Sequence, residues 1–372
     1  MNPLALRGCR ILDLSRLLPG PYCTSLLLNM GAEVIKVETP LAGDYLRLAA
    51  GRLGFEGMFG ALNSRKKSIA VNYRSALGRS VFLTLAERAD VVVETFRPGA
   101  TKRWGIDYDS IQAVNPRVVY CSLSAYGQTG PHRGHVGHDL NLMALSGLLS
   151  VSGADAGAGT GLRPLGVPMA DLAAGMLAAL AIVSALLQRE RTGQGAFLDV
   201  SLLDAALLWA APLASDPGGD DMGTLTGGMP CYNVYRASDG RHLSVAALEP
   251  HLWAALCKAA GQEGLAERQF DARAVEDVAR LFGQKTRDEW LALLQPLNVC
   301  VEPVNTVDEA RRDPQVAARG ALLDLDQPSR PPTLGEHTRE ILCQAGYADA
   351  QIDELAARGI VGPTPRSQRT TP

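Results

Sequence analysis

His138 and Asp171 each stand at the opening of a long apolar run. The segment Gly137-His138-Asp139 precedes LNLMALSGLL, and Asp171 precedes LAAGMLAALAIVSALLQRE. Apolar runs of this length read as helices, so both residues fall at helix starts. A helix start carries free N–H groups and a partial positive charge. That environment favours an ionised carboxylate and a bound oxyanion. Two bases of this kind converging on one carbon suit proton removal next to a carbonyl. Asp at a helix start also has a plainer use as an N-cap. Spacing alone leaves both uses open for Asp139 and Asp171.

Other residues with chemistry are less telling. His132 and His135 lie near His138, but in a Gly/Pro-rich stretch with no paired carboxylate or cysteine pattern, which argues against a metal trio. The 7 cysteines, at Cys9, Cys23, Cys121, Cys231, Cys257, Cys300 and Cys343, show no CxxC spacing. Reduced thiols and a cytoplasmic location are expected from them. Cys231 has no flanking base and reads as packing.

These residues need a scaffold, and the chain supplies one. Its 372 residues, 47% hydrophobic and 20% charged, describe an ordinary globular protein with room for two domains. A net charge of −3 does not suggest nucleic acid. MNPLALRGCRILDL lacks a signal-peptide layout. The apolar stretch 172–187 is short for a membrane span and ends in Gln-Arg-Glu-Arg, so a buried helix is expected and no membrane partner.

Short apolar strands are predicted at 9–14, 32–38, 68–72, 91–96, 118–123 and 196–200. Helices separate them, including 78–89, 101–115, 171–191 and 202–213. The alternation implies an α/β fold with a Rossmann-like, mostly parallel sheet, which binds ligands at the carboxyl ends of its strands. The first strand is not followed by GxGxxG, so no dinucleotide is expected. A hairpin follows around Asp239-Gly240. The expected organisation is a large α/β domain at 1–213 and a linker at 214–228. A smaller α+β domain at 229–307 follows, then a C-terminal segment at 308–361 returning to the large domain, and a flexible tail at 362–372.

Many stretches occur here in collinear order: ADVVVETFRPGATKRWGID, SAYGQTGP, GHDLNLMALSGLLS, PMADLAAGM, RTGQGAFLDVSLLDA, GGMPCYNVYRASDGRHLSVAALEP and CVEPVN. Together they resemble the family III CoA-transferases of CaiB/BaiF type. Within that superfamily the chain is most similar to the 2-methylacyl-CoA racemases. The resemblance implies paired bases at His138 in GHD and Asp171 in PMADLAAG, with Glu249 in LEP supporting His138. Pro250, after Glu249, suits a first helical position. In the transferases of the superfamily the residue matching Asp171 is a nucleophile that carries CoA as an aspartyl thioester, and the GHD histidine is usually missing. Where the racemases read DGG, this chain has Thr226-Gly227-Gly228, near the acyl pocket in the family.

The resemblance implies racemisation of a 2-methylacyl-CoA thioester through an enolate, with CoA transfer to a free carboxylic acid through an Asp171 aspartyl-CoA thioester as the alternative. His138 takes the proton of the S epimer and Asp171 that of the R epimer. The backbone N–H of Asp139 is the expected oxyanion donor, its own side chain being a cap. CoA belongs to the substrate, and neither a metal nor a redox cofactor is implied. Its phosphates call for cations on the large domain. Arg65 in Arg65-Lys66-Lys67 and Arg97 in FRPG are the expected contacts, with Lys102 and Arg103. A solvated charged edge is the alternative for the Arg65 cluster. Met222, Leu225 and Met229 are candidates for an acyl surface and equally for packing. The resemblance also implies an interlocked homodimer, with Glu249 supplied by either chain.

Overall fold

The structure, a computed structural model, describes residues 4–47, 57–151, 163–212, 224–319 and 330–362. The chain divides into two compact units. The first comprises Met1–Leu145, Pro168–Leu207 and Ala321–Pro372, and the second Ser146–Val167 and Leu208–Gly320.

The first unit is built on six strands: β1 (Arg10–Asp13), β2 (Glu33–Glu38), β3 (Lys67–Ala70), β4 (Val91–Glu94), β5 (Val119–Ser124) and β6 (Ala196–Ser201). All neighbours are parallel, in the order β3-β2-β1-β4-β5-β6. The strands are apolar runs because helices cover both faces; Ile11, Leu12, Val92 and Val119 are wholly buried. The strand order reverses between β1 and β4, so a crevice opens at their carboxyl ends.

Between the strands run α1 (Pro19–Asn29), α2 (Met58–Asn63), α3 (Ala76–Ala86), α4 (Ala100–Trp104) and α5 (Tyr108–Gln112). After β5 come α6 (Asp139–Leu145), α7 (Leu148–Val151), α8 (Met169–Thr192) and, beyond β6, α9 (Leu202–Ala210). Two expected helices are broken in two. The run 101–115 stops at Gly105, whose φ of 67° ends α4. The run after His138 breaks at Gly147, with φ 78°. The expected stop at Gly193 holds, with φ 72°.

Among the described residues α8 is the one helix long and apolar enough to cross a membrane. It packs instead on α1. A Cβ at Gly175 would lie 2.7 Å from the Pro19 carbonyl oxygen and 2.9 Å from the Tyr22 ring, so the glycine lets the two backbones touch.

The β1–α1 turn is held from beneath by buried charges. Lys66 pairs with Asp13 at 3.0 Å and Lys36 with Asp44 at 2.9 Å. Thr24 Oγ1 donates to Asp13 at 2.7 Å, and the Leu17 N–H donates to Asp44 at 3.2 Å. Leu17 adopts φ 63°, unusual for a leucine. Burial by itself would raise the Asp13 carboxyl; Lys66 and Lys36, with the Ser15 and Thr24 hydroxyls, hold it well below the usual carboxylate range.

The second unit has a three-stranded antiparallel sheet of β7 (Tyr232–Arg236), β8 (His242–Ala246) and β9 (Val301–Pro303), in that order. The hairpin turns at Asp239-Gly240, with Gly240 at φ 80°. The helices α10 (Pro250–Ala259), α11 (Val275–Phe282) and α12 (Arg287–Leu294) cover it. Tyr235 stacks on Phe282 at 5.0 Å, and the buried Trp253 and Trp290 donate to the Leu265 and Phe282 carbonyls at 2.9 and 2.8 Å.

This unit also holds α13 (Val307–Arg312) and α14 (Pro314–Arg319). The sequence reading assigns that stretch to the returning segment. Arg287 and Arg241, both beside the hairpin, pair with Glu309 and keep α13 here. The segment Ser146–Val167, expected in the large domain, also falls in the second unit.

The chain then returns to the first unit through α15 (Thr338–Gln344) and α16 (Asp349–Ala357). This return covers the outer edge of β3. The His337 N–H donates to the Ser68 carbonyl at 2.9 Å, and the Ala70 N–H to Thr338 Oγ1 at 3.2 Å. The Gly362 N–H donates to the Ala70 carbonyl at 3.0 Å, and the Asn72 N–H to the Ile360 carbonyl at 2.7 Å. The expected flexible tail falls on residues that, except Gly362, lie outside those described.

Candidate active site

The loop leaving β5 delivers His138 to the start of α6. The Asn141 N–H donates to the His138 carbonyl at 2.8 Å, and the His138 N–H to Asn141 Oδ1 at 3.0 Å, so His138 is the capping residue of its helix. Its side chain is exposed. Gly137 lies against Tyr126: a Cβ there would sit 2.9 Å from the Tyr126 hydroxyl oxygen, so a larger residue would require the ring to move.

Asp171 lies in the first turn of α8, whose own capping residue, Pro168, offers no side-chain acceptor. Asp139 supplies one from α6. Its Oδ1 accepts from the Ala170 N–H at 2.7 Å and the Asp171 N–H at 3.2 Å. One carboxylate thus ties the helix start that bears His138 to the start that bears Asp171. Asp139 is a cap, as the sequence suggests, but of the neighbouring helix. Its own N–H has no acceptor among the described residues.

This arrangement overturns one expectation. A helix start alone favours an ionised carboxylate, yet burial, and then the charge of Asp139, push Asp171 up to about 7. Burial also raises Asp139, although the two N–H donors oppose it. A carboxyl that exchanges its proton near neutrality can act as either acid or base.

Of the expected phosphate contacts, the structure places Arg97, Lys102 and Arg103 together. All three are exposed on the turn and short helix after β4, beside the crevice. Arg65 is not brought to them. Lys67 stands level with Ile35 near the start of β2, so Arg65 lies at the amino ends of the strands. There its guanidinium donates to Asn29 at the end of α1. Its neighbours are engaged too, Lys66 with Asp13 and Lys67 with Glu33 and Glu340 at 3.0 and 2.7 Å.

Two cations at the crevice escaped the sequence reading. The Arg16 guanidinium, just after β1, lies 5.0 Å from the Phe96 ring and donates to the Tyr73 hydroxyl at 3.2 Å. Arg74, after β3, lies 4.7 Å from the Trp104 ring. Phe96 and Trp104 pack edge to face at 5.0 Å. Rings and guanidinium groups in this arrangement suit an aromatic base and a phosphate. Their positions at the ends of β1, β3 and β4 were the available signal.

Glu249 belongs to the second unit. It is the capping residue of α10, with Pro250 in the first turn as expected, and its side chain is exposed and makes no cap bond. His132 and His135 face each other, Nδ1 to Nδ1 at 3.0 Å; among the described residues no group of three His, Cys, Asp or Glu is placed to hold a metal ion. Cys231 is buried, and burial raises its thiol. Met229 packs against the second unit's core, Leu225 is 50% exposed, and Met222 lies outside the described residues.

Residues 6–343 match the sequence model of CoA-transferase family III. The chain belongs to that family. The human succinyl-CoA:glutarate CoA-transferase is 32% identical, covering 97% of this chain and 90% of its own length. The human alpha-methylacyl-CoA racemase is also 32% identical, covering 96% and 98%. A CAIB/BAIF family protein from Brucella suis has the same architecture, with a TM-score of 0.78 and 29% identity over 92% of this chain and 99% of that one. The family III fold expected from the sequence is therefore present. Family membership makes the chain an enzyme of this superfamily, whose members act on CoA thioesters by racemisation or by CoA transfer.

Proposed function

We propose that this family III protein interconverts the epimers of a 2-methylacyl-CoA thioester. The observation that carries the reading is the Asp139 bridge, which sets His138 and a carboxyl near neutrality at two joined helix starts. The bond between the α-carbon and its hydrogen breaks, the proton goes to His138, and the electron pair moves onto the thioester oxygen. The Asp139 N–H stabilises that oxygen; losing one such donor typically costs about 2.7–4 kcal/mol. Asp171 then returns a proton on the opposite face. The R epimer reacts in the reverse sense. Glu249 orients His138, from the same chain or from a second copy. Arg97, Lys102 and Arg103 hold the CoA phosphates, with Arg16 and Arg74 beside them. CoA enters as substrate, and this scheme uses no metal or redox group. The protein works as a cytoplasmic homodimer.

A second reading has support from the relatives named CoA-transferases, which are as similar as the racemase. In it ionised Asp171 attacks the thioester carbonyl and expels CoA thiolate. The thiolate then attacks the Asp171 carbonyl of the mixed anhydride, releasing the free acid and leaving CoA on Asp171 as a thioester. Incubation of one pure 2-methylacyl-CoA epimer in deuterated water separates the two. Loss of the α-proton NMR signal with both epimers formed, and no acid added, supports racemisation. His138→Ala is expected to slow it by about 10²–10⁴-fold. Movement of CoA to an added carboxylic acid, with the α-proton retained across a panel of acyl chains, would establish transfer instead.

A further inference from the structure

Glu94 is the last residue of β4 and is 3% exposed. No basic side chain pairs with it among the described residues. An unpaired buried carboxylate is costly, and burial pushes this one up to about 7. Its two oxygens have separate uses. One accepts from the Phe96 N–H at 2.6 Å, which shapes the turn presenting Arg97. The other accepts from the Ser122 hydroxyl on the adjacent strand. Ser122 Oγ in turn accepts from Gln128 Nε2 at 2.9 Å.

Gln128 lies in the loop that leads from β5 to His138. Its N–H donates to Asp199 at 3.0 Å. Glu94, Ser122 and Asp199 stand directly opposite one another across β4, β5 and β6. They form one polar row along the carboxyl edge of the sheet, and Gln128 bridges its two outer members through Ser122 and its own backbone. Two residues before Gln128, Tyr126 packs against Gly137, the neighbour of His138.

We propose that Glu94 is a positioning residue that registers the CoA-anchoring turn at Phe96-Arg97 against the loop that carries His138, through the Glu94–Ser122–Gln128 relay. The inference rests on the function proposed above, since it takes Arg97 as a CoA contact and His138 as a base. Ser122 Oγ accepts from Gln128, and with Glu94 ionised its hydroxyl proton has the carboxylate as acceptor. Replacing the carboxylate by an amide puts a donor or a competing geometry at that junction. A misplacement of about 1 Å in such a site lowers turnover by as much as 10²-fold.

The test uses Glu94→Gln, Ser122→Ala and the double variant in the full chain. Three quantities are read: CoA affinity by calorimetry, and kcat and KM for α-proton exchange. Ser122→Ala cuts only the branch to the His138 loop. It is expected to lower kcat about tenfold or more while CoA affinity and KM stay within about twofold. Glu94→Gln cuts both branches, lowering kcat similarly and weakening CoA several-fold. The double variant is expected to have the kcat of Glu94→Gln alone, because both changes break one relay. Wild-type values in Glu94→Gln, or an identical loss of kcat and CoA affinity in both single variants, would overturn the inference. Additive losses of kcat in the double variant would do the same. A wild type that exchanges no α-proton overturns the proposed function and this inference together; an active wild type with a silent Glu94→Gln overturns this inference alone.

Discussion

His138 and Asp171 differ in what their sequence position reveals. Both were legible as groups at helix starts, and Asp139 as a cap. The protonation behaviour of Asp171 was not, because it comes from burial and from a carboxylate on another helix. Racemisation needs one proton shared between the two bases. Its kcat/KM is therefore expected to follow a bell in pH, with the same shape for both epimers, since the equilibrium between epimers is independent of pH. A transferase would need only ionised Asp171, and its rate would climb as pH rises through about 7 and then level. Stopped assays from pH 5 to 9 distinguish the two curves. Asp139→Asn keeps an acceptor oxygen for α8 and removes the charge. The limb that Asp171 governs is expected to move to lower pH, with stability little changed. Asp139→Ala also loses the cap, which is worth about 1 kcal/mol by urea denaturation.

At the scale of elements, apolar runs located the parallel strands to within a residue or two, because a strand covered on both faces is marked by its composition alone. What the sequence hid was the partner of each charge. Arg65-Lys66-Lys67 read as one basic cluster, yet Lys66 turns inward to Asp13 while Arg65 donates to the Asn29 side chain at the far end of α1. Register, not density, separated them. Asp13→Ala would leave the Lys66 ammonium buried without its carboxylate, and a loss of roughly 3–5 kcal/mol in urea unfolding is expected. The crossing of α8 over α1 was equally hidden, since Gly175 looks like any helical glycine until its neighbour is known. Gly175→Ala places a methyl against the Pro19 carbonyl oxygen and is expected to cost about 1–3 kcal/mol.

For the whole molecule, the same buried carboxyls set how stability varies with acidity. Asp171 and Glu94 both have folded values raised to about 7. The folded state holds their protons more tightly than the unfolded chain, so the stability they confer is complete below about pH 4 and lost as pH rises through about 7. Asp13 has the opposite sign: its folded value is depressed, so its contribution is present above about pH 4 and lost as pH falls. From these three groups, urea midpoints are expected to be highest near about pH 4 and to fall towards pH 7. Asp171→Asn should be more stable than the parent at pH 8, the gap closing towards pH 4. On α8, Met176, Leu180 and Leu187 are 51%, 64% and 57% exposed along one face. Such a stripe fits the proposed homodimer. Sedimentation equilibrium is expected to give two chains per particle, and Leu180→Asp to shift the balance towards one.

The cover on β3 has a consequence for how the protein is made. Strands β1 to β6 are complete before residue 202 is synthesised, but the hydrogen bonds that close the outer edge of β3 come from residues 337–362. During synthesis the sheet therefore waits, with an open strand edge, while residues 208–320 of the second unit are translated. An open edge is a template for pairing with another chain. Nascent chains halted near residue 330 are expected to aggregate or recruit chaperones, and chains released after residue 362 to stay in the supernatant. Fractionation of a truncation series checks this. Seen this way, the last stretch of the first unit works as a closing seam, and changes in it are expected to lower the yield of folded protein more than the activity of what folds.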